Sequence, residues 1–302
     1  ARPAAAKAAG RRERAGDGHR LAVGCMRGLR LLEAATGAVL RQVPHDGPVR
    51  ALDWSPDGSE VVTGGNHRKL CIVNAATGQV DRELQHDGFV LAVAWRPDGS
   101  KLATRGADGK LRLIDAASGQ LERELRHDGP VLALAWHPDG SRLAVGSRDR
   151  HLRLLDGASG RLEREVRHGG PVCAAAWRPD GRRLATGSED QALHVIDAKS
   201  GGVELLLKLG GAVNAVAWHP DGSKLAAASH DCVLRIVDVE TGEVERQVRH
   251  DGSVWAVAWR PNGRQLATAS HDHRLRFIDA ASGRVEREVQ QEGLVSAIAW
   301  EP

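Results

Sequence analysis

Histidine–aspartate pairs are the first residues in this chain whose types could do chemistry. His45–Asp46, His86–Asp87, His127–Asp128 and His250–Asp251 each set an imidazole beside a carboxylate, as a general base and its orienting acid would require. They recur at a fixed interval, however. An active site is normally unique, whereas a set repeated along the chain serves the fold. A denser group, His230, Asp231, His271, Asp272 and His273, has ligand-type side chains, but its spacing matches no zinc signature. Asp231 and Asp272 also occupy repeated positions, so loop histidines at the surface are expected and no metal. Cys25, Cys71, Cys173 and Cys232 contain no CxxC pair and read as reduced, mostly buried thiols. No phosphate loop and no nucleophile elbow is present. No catalytic residue, cofactor or metal is therefore expected.

The elements that would position such residues are set by repetition. Trp54, Trp95, Trp136, Trp177, Trp218, Trp259 and Trp300 stand at a constant interval of 41 residues. Around them runs a unit such as HDGPVLALAWHPDGSRLAVGSRDRHLRLLDGASGRLEREVR from His127, with relatives starting at His45, His86, His168, Leu209 and His250. Within it VLALAW, SRLAVG, HLRLLD and RLEREV are short β-type runs. HPDG, SRD and GASG between them carry turn chemistry, Pro presetting one dihedral and Gly accepting a left-handed one. Each unit is thus a four-stranded antiparallel meander. Its first strand is apolar almost throughout, as a strand buried on both faces would be, while the fourth alternates apolar and charged residues. The first is innermost and the fourth is the outer edge, where Glu122, Arg123 and Glu124 discourage pairing with other chains.

The two chain ends complement each other. GDGHRLAVGCMRGLRLLEAATGAVLRQV supplies second, third and fourth strands, and LVSAIAW, ending at Trp300, supplies a first strand. Joining them beside Leu21 closes a ring. The expected fold is all-β: a seven-bladed β-propeller of four-stranded antiparallel blades, closed by one C-terminal strand pairing with three N-terminal strands. Its domain runs over 16–302, behind a basic Ala/Arg-rich tail at 1–15.

Period, PDG turn and closing topology together make the chain from Gly16 onward resemble the WD-repeat family. The Asp of the family's signature dipeptide stands at Asp115, Asp156, Asp197, Asp238 and Asp279, but Ile114, Leu155, Ile196, Val237 and Ile278 replace its tryptophan. Asn74 and Glu33 take the aspartate's place in the other two blades. The resemblance implies a buried His–Ser/Thr–Asp network within each blade, shortened here by loss of the indole. His86, Thr104 and Asp108 fit it, as do His168, Thr186 and Asp190, and His250, Thr268 and Asp272. Val145, Leu209 with Ala227, and His67 depart from it.

The resemblance also implies a scaffold or peptide-reading propeller whose partners dock on the top face, at three positions per blade that vary while their neighbours repeat. The first set is Arg50, Leu91, Leu132, Cys173, Asn214, Trp255 and Ser296. The second adds Phe89 and Leu294, and the third adds Arg148, Glu189, His230 and His271. Trp255 is the one tryptophan off the comb, and an indole beside apolar residues and an Arg has the composition of a binding hot spot, the alternative being a side chain that simply plugs the channel mouth. A second departure is VELLLKLGG on the outer strand of blade four. There Leu205 and Leu206 stand where Arg164 and Glu165 stand one blade earlier, which suggests either a lateral contact with another protein or a second copy, or local packing against a neighbouring loop.

Charge narrows the partners. The total is +3, and residues 1–15 hold five basic side chains against one acidic, leaving a body near −1. A near-neutral body lacks the field that sequence-independent phosphate binding needs, so nucleic acid is an alternative only through the basic tail and nearby basic loops. No apolar run reaches the length of a membrane span and the N-terminus lacks a secretory core. The chain reads as an intracellular protein, cytoplasmic or organellar, binding a peptide or protein as a possible subunit of a multiprotein complex. The start at Ala1 suggests processing or a fragment, and the tail has the composition of a linker or a transit remnant.

Overall fold

The computed structural model describes residues 19–126 and 129–302. The basic tail and the His127–Asp128 pair lie outside them. Among the described residues there is no helix, and twenty-eight strands form seven four-stranded antiparallel sheets. Blade one holds Val49–Trp54, Glu60–Gly65, Lys69–Asn74 and Val80–Gln85, and the pattern repeats to blade six. Blade seven takes its first strand, Val295–Trp300, from the C-terminus and the others, Arg20–Cys25, Gly28–Glu33 and Val39–Pro44, from the N-terminus. The closing register sets Leu21 opposite Trp300, the juxtaposition on which the ring depends. Arg20 adds a fork to Glu301, with Nη2 on Oε1 at 2.6 Å and Nε on Oε2 at 3.0 Å.

Burial follows strand order with one difference from expectation. The second and third strands are the most buried, and the fourth alternates exposed and half-buried residues, as in Leu162–Arg167. The first strand is not buried on both faces. Leu132 and Leu134 stay half-buried because they line the central channel.

The tryptophan comb ties blade to blade. Six of the seven indoles donate Nε1–H to a carbonyl in the first strand of the preceding blade, Trp136 to Ala94 and Trp54 to Ala299 among them, at 2.9–3.2 Å. At five seams the residue after the comb tryptophan covers the next blade's indole, and at the closing seam Arg20 does so. Arg96, Arg178, Arg260 and Arg20 lie over Trp136, Trp218, Trp300 and Trp54, and His137 and His219 meet Trp177 and Trp259 edge-on at 4.7 Å. On the rim an outer-strand arginine reaches the next blade's third turn: Arg41, Arg82, Arg123, Arg164, Arg246 and Arg287 donate to carbonyls such as Ala76 O and Ala158 O at 2.7–3.3 Å. The repeat aspartates close that turn itself. Asp115 accepts from Ser118 N and Oγ at 2.7 and 2.6 Å, and Asp156, Asp197 and Asp279 do the same with their serines.

The polar network differs from the one the resemblance implies. His–Thr bonds form in three blades: His45 to Thr63 at 2.8 Å, His168 to Thr186 at 2.8 Å and His250 to Thr268 at 2.9 Å. In blade two, His86 instead faces the Arg112 guanidinium at 3.5 Å, and Thr104 Oγ1 is buried without a partner among the described residues. The aspartates do not reach the imidazoles. They accept from the backbone beside them, Gly169 N on Asp190 and Asp251 N on Asp272, and except for Asp190, which faces His194, they pair with a third-strand arginine four residues on. Asp108–Arg112, Asp149–Arg153, Asp231–Arg235 and Asp272–Arg276 lie at 2.5–2.7 Å. That arginine sits opposite the hydroxyl position, as Arg112 does opposite Thr104, so it intercepts the carboxylate before the imidazole can.

The network gives the fold an acid limit. Burial holds His86, His168 and His250 neutral, each lowered to about 4 from its ordinary value. The unfolded chain binds protons at these sites near pH 6.5 and the folded chain does not until near pH 4, so stability present at pH 7 drains away across that window. We expect the urea midpoint to fall between pH 7 and pH 4.5, each histidine costing on the order of 1–3 kcal/mol. A midpoint constant over that range would rule out neutral burial.

Candidate functional site

The channel opens, at the end where the first strands begin, into a cavity of about 320 Å³ lined by Arg50, Leu91, Arg105, Trp255, His271, Leu294, Val295 and Ser296. These residues come from blades six, seven, one and two, so the cavity spans four blades across the mouth. Trp255 is 41 % exposed, although its strand neighbours Val254 and Ala256 are buried. Its ring leans on His271 with centroids 4.8 Å apart and planes 32° from parallel. Burial, and then repulsion from His230 and His273, lowers the His271 pKa, which favours a neutral imidazole beneath the indole. Arg50 is exposed and spends Nε on Asn66 Oδ1 at 3.3 Å. The mouth therefore presents one large aromatic face, two leucines and cationic groups.

Other residues singled out from the sequence are placed elsewhere. Leu132, Cys173 and Asn214 line the channel below the mouth together with Leu91 and Ser296. Asn214 Nδ2 bonds Val254 O at 2.9 Å and so braces the strand that carries Trp255. The Cys173 thiol is pushed up to about 11 by burial and by Glu189, which makes it a poor nucleophile. Phe89 is exposed but lies beside Arg68 and outside the cavity. Arg148, Glu189 and His230 are exposed loop residues, with His230 Nδ1 held by Ser253 Oγ at 3.0 Å.

On the outer strand of blade four the two leucines separate. Leu205 is half-buried and packs into the cluster formed with Val237, Val239 and Val244, replacing the arginine clasp of the other blades with an apolar one. Leu206 is 51 % exposed and pairs across the sheet with His194, where blades two, three and six set a glutamate opposite an arginine. Of the two leucines, Leu206 is the one turned to solvent.

The His230, Asp231, His271, Asp272, His273 group is not assembled as a ligand set. Arg235 and Arg276 take the two carboxylates. A group the sequence reading missed does converge: His45, His67 and Cys71 keep their ligand atoms within 4.8 Å. His67 and Cys71 stand at the two positions that hold the Asp–Arg pair in other blades. Both His45 nitrogens are engaged, by Val43 O at 3.0 Å and Thr63 Oγ1 at 2.8 Å, and burial pushes the Cys71 thiol up to about 11. Those constraints favour a neutral substitute for the ion pair over a metal centre.

Two further residues escaped the sequence reading. Arg105, in the second strand of blade two, reaches the mouth cavity. Asp53 replaces in blade one the alanine whose carbonyl-bearing position meets the indole elsewhere. Its Oδ2 accepts from Trp95 N at 2.8 Å, and Trp95 Nε1 is the comb indole left without a partner. Ser55 stands where Arg or His covers the indole in other seams, and a cavity of about 510 Å³ opens between blades one and two over Trp95.

A family model described as WD domain, G-beta repeat matches residues 37–74, 119–156, 160–197 and 204–238. A second, described as anaphase-promoting complex subunit 4 WD40 domain, matches 82–128 and 244–302. No curated protein matches the chain. No helix of the described residues is long and apolar enough to cross a membrane.

Burial pushes Asp53 up to about 6, against two backbone N–H groups that pull it down. The folded chain therefore holds this proton more tightly than the unfolded one, and stability is lost as pH rises from about 4 through 6. Relative to wild type, Asp53→Ala should gain stability on going from pH 4 to pH 8, by up to about 3 kcal/mol. Denaturant titrations of the two proteins at both pH values measure the difference; a variant that tracks wild type at both would show Asp53 to be ordinarily solvated.

Proposed function

The chain belongs to the WD-repeat family, and from that premise we propose a non-enzymatic scaffold that holds a protein or peptide partner at the upper mouth of its channel. The observation that carries this reading is Trp255. A large apolar side chain kept 41 % exposed by an otherwise well-packed strand, over a cavity with Leu91, Leu294 and Arg50, is costly unless something covers it. Trp and Arg grouped at the centre of a concave patch form the usual anchor of a protein interface.

Three features support a scaffold over an enzyme. The cavity at the mouth is lined by no carboxylate and no cysteine. The repeated His, Thr and Asp side chains are consumed within the blades. The free thiols at Cys71 and Cys173 are both pushed up by burial. One of the two matching models describes a domain of a multi-subunit complex, which supports a place in a larger assembly. The exposed Leu206 on the outer edge of blade four would supply a lateral contact within it.

Trp255→Ala should leave the unfolding midpoint within about 0.5 kcal/mol of wild type, because the side chain is surface-exposed, and weaken partner capture by at least about 2 kcal/mol, some thirtyfold. Affinity capture with mass spectrometry, run beside thermal denaturation, reads both. An identical set of partners on wild type and variant would sink the reading.

A further inference from the structure

Arg105 is a long side chain at a position the repeat keeps small. Each blade pairs an alanine of its first strand with the equivalent residue of its second, and these are Gly24, Gly64, Gly146, Gly187, Ala228 and Ala269 in the other six. At the four glycines an added Cβ would come within 2.4–2.8 Å of the next blade's leading valine. Blade two nevertheless seats an arginine here, opposite Ala92, and leaves it only 7 % exposed.

The guanidinium has no counter-charge among the described residues. Its Nε has no hydrogen-bond partner. Three carboxylates of the same blade are taken by Arg112, Asp87 and Glu124 at 3.3 Å and Asp108 at 2.5 Å, and Asp98, Glu122 and Asp115 by Arg96, Lys101 and Ser118. Burial alone pulls Arg105 down to about 10, the sign of a cation short of solvent and partner. A buried unpaired charge destabilises a fold unless a ligand completes it. Arg105 lines the cavity that Trp255 and Leu294 also line.

Building on the top-face docking reading, we propose that Arg105 is the receptor for a carboxylate, so that the mouth selects an acidic peptide segment in which Asp or Glu neighbours an apolar residue. The fork of one guanidinium matches the two oxygens of one carboxylate. A phosphate dianion calls for more cations than the mouth supplies, since Arg50 has Nε engaged by Asn66 and the pKa of His271 is lowered. The apolar neighbour would lie against Trp255 and Leu294. The cavity, about 320 Å³, has the size of two side chains rather than of a folded domain.

The test is a random dodecapeptide display library selected on the immobilised full chain, on Arg105→Ala and on Trp255→Ala. Alanine is what blades five and six carry at this position, so the fold should accept it. Peptides recovered on wild type should be enriched in Asp or Glu beside Leu, Ile or Phe. On Arg105→Ala the acidic enrichment should fall at least about tenfold while the apolar preference persists. The free Arg105→Ala protein should melt no lower than wild type, because it loses an unpaired charge. Unchanged acidic enrichment on Arg105→Ala overturns the proposal, as does a phosphoserine peptide that binds tighter than its glutamate counterpart. Apolar peptides without acidic preference on wild type overturn it while leaving the docking surface standing. Equal recovery on Trp255→Ala removes the docking surface itself.

Discussion

The bond from a comb indole to a carbonyl one blade behind it is the constraint on which the ring depends. A four-stranded blade buries too little apolar surface to stand alone, so its stability comes from the seams on either side. Five of the seven seams are held at three radii. An indole donor holds the inner strand, an arginine or histidine lies over that indole, and an outer arginine clasps the next blade's turn. The N-terminal strands and the C-terminal strand obey the same grammar. Trp54 reaches Ala299 and Trp300 reaches Ala258, so the covalent break in the ring falls inside blade seven and not at a seam.

Because the same contacts recur, a departure in one blade has a visible cost against its siblings. Departures of this kind fall on blades one, two and six. Blade one gives up an alanine for Asp53 and an indole cover for Ser55, and the Trp95 donor is orphaned as a result. In blade two His86 faces Arg112, and Thr104 is left without a partner among the described residues. The same blade buries Arg105. Blade six places Trp255 in the open. Losses of this kind in an otherwise regular repeat are where function is expected to have overridden packing.

Much of this was legible in the sequence. A comb of seven tryptophans with PDG turns fixes strand count, blade count and closure, because hydrophobic period and turn chemistry are local signals. Trp255 was legible as the tryptophan that breaks the comb. The interception of Asp108 by Arg112 was not, since the family pattern draws attention to His and Thr while the competing arginine sits four residues downstream on an adjacent strand. Nor was the half-buried state of the first strand, whose apolar run reads alike whether it faces a core or a channel. Leu205 and Leu206 read as one patch in the sequence, yet the strand's alternation turns the first into the seam and the second to solvent.

Arg105 shows why comparison among blades outperforms residue type. By type it is one arginine among many in a chain rich in them, and basic residues on a propeller are ordinarily solvated. Set against Gly24, Gly64, Gly146, Gly187, Ala228 and Ala269, it is a charged side chain where the packing rule admits a methyl group at most. Its charge and the exposed apolar face of Trp255 are opposite kinds of cost, one paid by desolvating a cation and the other by hydrating an indole. A single ligand bearing an anion next to an apolar group relieves both at once, and a ligand with only one of the two leaves the other unrelieved. The shared cavity is what links these costs, since neither residue alone would define a partner's chemistry.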